Sequence, residues 1–497
     1  MARTFFCITT LFLSLHTYAQ RQNYTTVSET DTGIALLKKA AQLAPSPRQL
    51  RWQQLELTAF FHFGVNTFTN REWGDGKENP RLFNPRKLDT RQWVQTVKAA
   101  GIRQVIITAK HHDGFCLWPS RYTEHSVKNS AWKNGKGDLV KELATACREQ
   151  GMGFGVYLSP WDRNSPLYGT PAYNDYFANQ LTELLTQYGR IDEVWFDGAN
   201  GEGPNGKKQV YDFGRWYVLI RQLQPGATIA IMGPDVRWVG TESGYGRETE
   251  WSVVPVEQLN PDAVAANSQQ AVAFKPAGDM MGDDLGSRDK IRKARALVWY
   301  PAETDVSIRP GWFYHPAEDS LVKTEGQLTD IYFHSVGRNS VLLLNIPPDT
   351  NGLVSGYDQR SLQEWKKNLN KIFRVNLLKG AGADSRSRSA LNRLTDGNMQ
   401  TALQLTEDNP WELKLKAPLT FNVLSLSEDI RLGQHIESFI LEGWIENAWQ
   451  KITGGTTIGY KRLLEFQPVT TNKIRLRILS ARAAPFVSEM GLYVRDK

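Results

Sequence analysis

The segment "IDEVWFDGANGEG", residues 191–203, carries the clearest indication of the fold. It opens with an apolar run, Ile191 to Phe196, which is typical of a short buried β-strand, and it closes with a glycine-rich turn. Between the two stands Asp197, a carboxylate at the last position of the strand. A carboxylate in that place either caps the turn or faces a pocket at the end of the strand, and the surrounding sequence decides which.

Around this strand, apolar strands alternate with amphipathic helices, which predicts parallel strands joined by helical crossovers. The count approaches eight strands over roughly 300 residues and favours an α/β fold of the closed (β/α)8, TIM-like type over an open doubly wound sheet. The predicted strands lie within 57–65, 103–115, 152–159, 191–197, 227–233, 296–307 and 340–348. The predicted helices lie within 89–101, 138–151, 173–189, 210–226 and 320–337.

After about residue 356 the pattern changes to short alternating runs separated by turn-forming residues, which predict an antiparallel β-sandwich. A charged helix stands before them and is expected to connect the two parts. The sequence therefore predicts a signal peptide, a catalytic barrel domain, a linker helix and a β-sandwich domain, at residues 1–19, 20–356, 357–374 and 375–497.

The first residues have the features of a secretory signal peptide. Arg3 precedes an apolar run from Phe5 to Leu15, and a small-residue cleavage site ends at Ala19. No later run is long enough for a transmembrane helix. We therefore expect an exported protein, periplasmic or secreted, without a membrane span.

Composition narrows the function classes. The formal charge of +7 over 497 residues comes from scattered basic side chains, which gives a nucleic-acid partner little support. No G-x-G-x-x-G motif follows a strand, so no dinucleotide cofactor is expected. After removal of the signal peptide only Cys116 and Cys147 remain, and we expect two free buried thiols rather than a disulfide.

Polar side chains cluster where the predicted strands end, at His62, His111, His112, Tyr157 and Asp197. In (β/α)8 barrels this face builds the active site, so Asp197 is a candidate catalytic residue. A zinc site made from the histidines is an alternative, but the usual H-x-x-x-H and H-x-H spacings are absent. We therefore predict no metal and interpret the histidines as neutral groups that hydrogen-bond sugar hydroxyls.

A second carboxyl group is sought in the segment "GPDVRWVGTESGYGRETEW", residues 233–251, which follows the fifth strand. Cleavage of a glycosidic bond uses two carboxyl groups, one protonated and one ionised. Asp197 is fixed by its strand, and a partner on a longer loop is still able to reach it. The segment offers four carboxylates, Asp235, Glu242, Glu248 and Glu250.

Several motifs in order resemble glycoside hydrolase family 29, the exo-acting α-L-fucosidases, over about residues 45–355. They are "HFGVNTF", "EWGDG", "AKHHDGFCLWPS", "GVYLSPWD", "EVWFDGA", "SIRPGWFYH" and "LLLNIPPDTNG". The resemblance implies that Asp197 is the nucleophile. It also implies that Glu242, in the V-G-x-E segment, is the acid/base, with Glu248 and Glu250 close by as alternatives. The fucose-binding residues implied in the same way are His62, Glu72, Trp73, His111, His112, Tyr157, Trp195 and Trp312.

The segments "DVRWVGTESG" and "RPGWFYH" resemble the branch of that family that cleaves α-1,3 and α-1,4 fucosyl linkages. This implies a retaining enzyme that releases terminal fucose from fucosylated oligosaccharides or glycoconjugates by double displacement. Two alternatives stay open: a broad enzyme that also accepts α-1,2-linked and aryl fucosides, and a non-catalytic glycan-binding protein. The C-terminal domain resembles discoidin-like, galactose-binding modules, and is either a brace for the barrel or a sugar-binding module.

Overall fold

A computed structural model of the chain describes residues 22–256, 284–379, 381, 387–406, 408 and 410–496. The predicted signal peptide, residues 1–19, lies outside this part. Across the described residues, no helix combines the length and the apolar character that crossing a membrane requires.

Eight parallel strands form a nearly closed, TIM-like barrel, as predicted. The strands described up to residue 345 are β1 (Tyr24–Thr26), β2 (Leu57–Phe61), β3 (Gln104–Lys110), β4 (Gly153–Leu158), β5 (Glu193–Phe196), β6 (Thr228–Ile231), β7 (Arg237–Trp238), β8 (Val253–Val256), β9 (Ala296–Trp299), β10 (Ala302–Ser307) and β11 (Val341–Asn345). The barrel order is β6-β5-β4-β3-β2-β11-β10-β7. Its two end strands are consecutive in the chain and approach each other where the Asp235 amide donates to the Ile229 carbonyl at 3.3 Å.

Helices connect the barrel strands on the outside, and aspartates cap three of them. Asp89, Asp138 and Asp212 each accept a hydrogen bond from backbone amides of the first turn, which stabilises the helix start. The α-helices described in the chain are α1 (Gly33–Gln42), α2 (Pro47–Gln53), α3 (Val65–Thr69), α4 (Thr90–Ala99), α5 (Leu139–Glu149), α6 (Ala172–Gln187), α7 (Phe213–Leu223), α8 (Arg288–Ile291), α9 (Glu325–His334), α10 (Gly356–Phe373) and α11 (Arg388–Arg393).

Two elements differ from the prediction. The segment 296–307, predicted as one strand, is two strands separated at Pro301, and β9 pairs with β1 and β8 in a separate antiparallel sheet. Proline has no N–H to donate and interrupts a strand at this position. The predicted helix 320–337 is also shorter, because α9 begins only at Glu325, where Thr324 and Gln327 form a capping box.

The C-terminal part is a six-stranded antiparallel sheet, in agreement with the predicted β-sandwich. Its strands are β12 (Leu403–Gln404), β13 (Trp411–Glu428), β14 (Ile436–Ile445), β15 (Ala448–Gly455), β16 (Arg462–Ala481) and β17 (Phe486–Tyr493). The long strands β13 and β16 change register at irregularities between paired residues, which bend the sheet over its own apolar core. The helix α10 stands before this part and packs Leu362, Trp365, Leu369 and Ile372 into the core of the barrel. The division of the chain into domains, with a linker helix at 357–374, stays a prediction.

The barrel and the C-terminal sheet contact each other through ion pairs and backbone hydrogen bonds. Lys461 lies 2.5 Å from Glu56, and Arg288 lies 2.5 Å from Glu437. His435 Nε2 contacts the Ala41 carbonyl at 2.9 Å. These contacts involve several barrel elements. The C-terminal sheet is therefore packed against one side of the barrel and is not joined to it by the chain connection alone.

Candidate active site

The predicted polar residues do converge at the carboxyl ends of the barrel strands. His62 follows β2, His111 and His112 follow β3, Tyr157 lies near the end of β4, and Asp197 follows β5. Parallel strands place these ends on one side of the barrel, so residues far apart in sequence become neighbours. The His62 and His111 rings are 5.6 Å apart, and the His111 ring stacks on Tyr157 at 5.8 Å.

Asp197 is held at both carboxylate oxygens. Tyr157 Oη donates to Oδ2 at 3.0 Å, and the Ala199 amide donates to Oδ1 at 2.8 Å. The side chain is 26% exposed, and His112 Nε2 lies 3.7 Å from Oδ2. The bond to the amide two residues on is a turn bond, so the capping role considered for this aspartate is present. The hydrogen bond from Tyr157 also fixes the orientation of this carboxylate, and its partial exposure leaves it accessible to a ligand.

The three histidines are neutral at neutral pH because they are buried. Burial lowers the pKa of His62 to about 4, and burial is also the main cause that lowers the pKa values of His111 and His112. Asn345 Oδ1 accepts from His62 Nδ1 at 2.9 Å, which leaves Nε2 as an acceptor. Neutral rings of this kind suit hydrogen bonds with uncharged hydroxyl groups.

Tyr157 and Trp195 form an aromatic floor below Asp197. Their rings stack at 5.3 Å with an interplanar angle of 27°, and Phe60 packs edge-on against both. Trp195 Nε1 donates to Glu303 at 2.7 Å, so the indole is fixed from beneath by a buried carboxyl group. Trp195 therefore supports Tyr157, and through it the orientation of Asp197.

Glu72 and Trp312 form a second cluster, on the loops that follow α3 and β10. The amides of Trp312 and Phe313 donate to the Glu72 carboxylate at 2.8 and 3.1 Å, and His315 Nε2 contacts it at 2.6 Å. The Trp312 ring lies 5.0 Å from the His62 ring. Glu72 thus fixes the loop that places Trp312 over the histidines.

Trp73, next to Glu72, is an exposed aromatic residue on the same side of the barrel. Its side chain is 57% exposed, and its ring packs edge-on against His112 and Trp161 at 5.7 and 5.6 Å. An indole with this much exposed surface suits packing against an apolar ligand surface.

The four carboxylates of residues 233–251 have different surroundings. Glu242 is exposed and accepts a hydrogen bond from Trp312 Nε1 at 3.2 Å, which brings it to the cluster of predicted site residues. The other three pair with arginines: Asp235 with Arg48 and Arg221, Glu248 with Arg338 and Arg462, and Glu250 with Arg237 and Arg247. Asp235 and Glu250 are buried in these ion pairs.

Several residues of this region were missed from the sequence. Asn345 contacts His62, Ser159 contacts His112 at 2.8 Å, and His315 contacts Glu72. Asp305, within β10, accepts from Trp238 Nε1 at 2.7 Å, and burial raises its pKa to about 7. Asn345 is the last residue of β11, so the strand-end signal that located Asp197 was available for it as well.

The cysteines have no part in this cluster. Cys116 and Cys147 are both free and buried, as predicted. Burial raises the pKa of Cys116 well above its ordinary value and that of Cys147 to about 12, so both thiols are protonated. Within the described residues, no group of three or more histidine, cysteine, aspartate or glutamate side chains is arranged to hold a metal ion.

Two accessible carboxylates, neutral imidazoles and open indole faces at the mouth of a TIM-like barrel are characteristic of a glycoside hydrolase. Comparison with known proteins gives the family. The sequence profile of the alpha-L-fucosidase family matches residues 49–371. Alpha-L-fucosidase 1 of Arabidopsis thaliana is 45% identical over 465 residues, which cover 90% of this chain and 87% of the relative.

Solved structures agree. A candidate alpha-L-fucosidase of Bacteroides ovatus is 51% identical with a TM-score of 0.86, over 96% of this chain and 78% of that one. A family GH29 fucosidase of Ruminococcus gnavus, in complex with fucose, is 32% identical with a TM-score of 0.78, over 91% and 95%. This chain belongs to the alpha-L-fucosidases of glycoside hydrolase family 29.

The histidine environment predicts an unusual titration. Because burial lowers the pKa of His62 to about 4 from its ordinary 6.5, the ring should stay neutral from pH 8 down to about pH 5. The unfolded chain takes up this proton near pH 6.5, so His62 reduces stability as the pH falls from 6.5 to 4. NMR of protein labelled with ¹⁵N-histidine, with His62→Gln to assign the signal, measures the titration. A His62 ring that titrates between pH 6 and 7 contradicts this account of the site.

Proposed function

We propose that this alpha-L-fucosidase is an exo-acting retaining enzyme in which Asp197 is the nucleophile and Glu242 is the acid/base. One observation carries most weight: of the four carboxylates in residues 233–251, Glu242 bonds to an indole of the site, whereas the other three pair with arginines. A general acid must release its proton to the leaving group. A carboxylate paired with arginines keeps its negative charge and is a poor proton donor.

The first step forms a covalent intermediate. Asp197 attacks the anomeric carbon of the terminal fucose, while the bond between that carbon and the glycosidic oxygen breaks. The electron pair of the broken bond goes to the leaving oxygen, and Glu242 gives it a proton, so that the rest of the glycan leaves as an alcohol. The hydrogen bonds from Tyr157 and Ala199 hold Asp197 in the attacking position.

The second step releases fucose. Glu242, now ionised, takes a proton from water, and the water oxygen attacks the anomeric carbon. The ester bond to Asp197 breaks, the carboxylate is restored, and fucose leaves with the configuration it had in the substrate. Both carboxylates return to their starting states, so no external acid or base is consumed.

Substrate binding would use the neutral and aromatic groups around these carboxylates. The structure of the Ruminococcus gnavus relative in complex with fucose supports fucose as the sugar that this protein binds. His62, His111 and His112 suit the hydroxyl groups of a neutral sugar. Trp312, placed by Glu72, and the exposed Trp73 offer apolar surfaces for the ring and the methyl group.

For the linkage, we propose a preference for branched α-1,3- and α-1,4-linked fucose. The support is the similarity of residues 235–244 and 309–315 to that branch of the family, and the position of Glu242 beside Trp312 in the second of these segments. A broad enzyme that also cleaves α-1,2 linkages is the second candidate. A purely glycan-binding role is disfavoured, because both carboxylates that the chemistry needs stand at the barrel mouth.

Replacement of Asp197 and replacement of Glu242 should impair hydrolysis in different ways. Asp197→Ala removes the nucleophile and should lower kcat by about 10³-fold or more on every fucoside. Glu242→Ala removes the proton donor, so it should lose glycan hydrolysis but keep kcat/KM for 2,4-dinitrophenyl α-L-fucoside, whose leaving group departs without a proton. Azide should restore turnover of that substrate by replacing the activated water. Full activity of Asp197→Ala on a glycan would exclude the proposed mechanism, and far-ultraviolet circular dichroism checks the fold.

Linkage preference is measured with two oligosaccharides in parallel. A Lewis-type trisaccharide carries α-1,3- or α-1,4-linked fucose on a branched core, and 2'-fucosyllactose carries an α-1,2 linkage. We expect fucose release from the Lewis-type trisaccharide at a kcat/KM at least tenfold above that for 2'-fucosyllactose. Equal rates would favour the broad enzyme, and release of fucose from neither, with a folded protein, would favour the glycan-binding alternative.

A further inference from the structure

The loop that carries Glu242, residues 239–252, lies outside the barrel ladder and contacts the C-terminal sheet. Four side chains of the C-terminal domain bond to its backbone. Thr457 Oγ1 accepts from the Glu250 amide at 3.0 Å, and Gln434 donates to the Glu250 carbonyl at 3.0 Å. Arg462 and Thr456 donate to the Glu248 carbonyl at 2.6 and 3.1 Å. The C-terminal domain thus satisfies part of the loop's backbone groups, in addition to the hydrogen bonds that the loop makes to the barrel.

Arg462 has the central position in this contact. It is 2% exposed at the start of β16, and its guanidinium pairs with the Glu248 carboxylate as well as with the Glu248 carbonyl. Arg338 of the barrel reaches the other carboxylate oxygen at 2.8 Å and donates to the Gly246 carbonyl at 3.0 Å. Glu248 is therefore held between one arginine from each domain.

The residues between Glu248 and Glu242 are fixed by contacts with the barrel. Tyr245 stacks on His334 at 4.8 Å and donates to Asp330, and the Gly246 amide donates to the His334 carbonyl at 2.7 Å. Gly244 has a φ of +78° and packs so tightly that a Cβ atom would lie 2.9 Å from Val306 and Ile331 side chains. Residues 243–247 therefore have little conformational freedom, and the position of Glu242 depends on how Glu248 is held.

We propose that the C-terminal domain positions the general acid, and that Arg462, acting through Glu248, is a positioning residue for Glu242. This inference rests on the proposed role of Glu242. Proton transfer requires the donor and the leaving oxygen to approach within about 2.6–3.2 Å. A displacement of about 1 Å costs on the order of 10²-fold in rate, so a remote clamp on the loop has a measurable effect on the proton-transfer step.

This role differs from general attachment of the domain. Arg288 pairs with Glu437 across the same interface, but both residues lie outside the 239–252 loop. Loss of the pair between Arg288 and Glu437 weakens the contact between the two domains but leaves Glu248 bound to Arg462 and Arg338. Arg288→Met is therefore the matched control for Arg462→Met, since each change removes one interdomain guanidinium.

The test compares two substrates whose leaving groups differ in their need for a proton. For Arg462→Met we expect kcat/KM on a fucosylated oligosaccharide to fall by about 10- to 100-fold, while kcat/KM for 2,4-dinitrophenyl α-L-fucoside changes by less than about twofold. Arg462→Lys, which retains a cation, should recover part of the loss. Arg288→Met should stay within about twofold of the wild type on both substrates.

Glu248→Gln keeps the proposal testable if Arg462→Met does not fold. The Glu248 side chain is 54% exposed, so its amide is accommodated, and we expect the same selective loss, smaller in size. Equal losses on both substrates, or no loss, in the folded variants would overturn the positioning role. Loss of glycan hydrolysis in Glu248→Gln with rescue by azide, and none in Glu242→Ala, would instead make Glu248 the acid. That last result alone rejects the proposed function together with this inference.

Discussion

The hydrogen bond from Tyr157 to Asp197 is the interaction around which this site is organised. It joins the ends of two adjacent strands, β4 and β5, and fixes a carboxylate among side chains that are largely buried. Burial, with a contribution from the neighbouring Asp197, raises the pKa of Tyr157 well above its ordinary value, so the phenol keeps the proton that it donates. At neutral pH the phenol of Tyr157 is therefore always the donor of this hydrogen bond and the carboxylate of Asp197 the acceptor.

Support for that bond extends through the interior of the barrel. Tyr157 stacks on Trp195, Trp195 donates to Glu303, and across the barrel Glu193 accepts from Trp52 and Gln104. Burial raises the pKa of Glu193 to about 8 and raises the pKa of Glu303 well above its ordinary value. Neighbouring acids contribute to both shifts: Asp192 and Asp235 for Glu193, and Glu193 and Asp305 for Glu303. Neutral acids in the core avoid the cost of buried charge and still hold the indoles in place.

The sequence was most informative where a short stretch of neighbouring residues carries the pattern. Apolar runs that end in a polar residue located Asp197, His62 and the histidine pair, because strand ends in a parallel barrel meet at one face. The two-residue strand β7 escaped detection because it is too short to show a period, and the break at Pro301 divided what read as one strand. The apolar pattern located the other seven barrel strands and missed β7, the strand at one end of the barrel sheet.

The choice among the loop carboxylates required tertiary structure. In the sequence Glu242, Glu248 and Glu250 are equivalent acids on one segment. Glu250 pairs with the nearby Arg237 and Arg247, but Glu248 pairs with Arg338 of the barrel and with Arg462 of the other domain, 214 residues away. Glu242 bonds to the distant Trp312 instead. No local pattern encodes these contacts of Glu248 and Glu242. A domain that the sequence presents as an attachment to the barrel consequently shares a contact surface with the loop that bears Glu242, the proposed acid.

The most direct test of the account is to trap the covalent intermediate. Incubation with 2-deoxy-2-fluoro-L-fucosyl fluoride, followed by intact mass measurement and peptide mapping, identifies the residue that attacks the anomeric carbon. We predict the addition of one fluorofucosyl group to Asp197 and no addition in Asp197→Asn. Labelling of a different carboxylate, or unlabelled protein that releases fucose with inverted configuration from a glycan, would contradict the central claim.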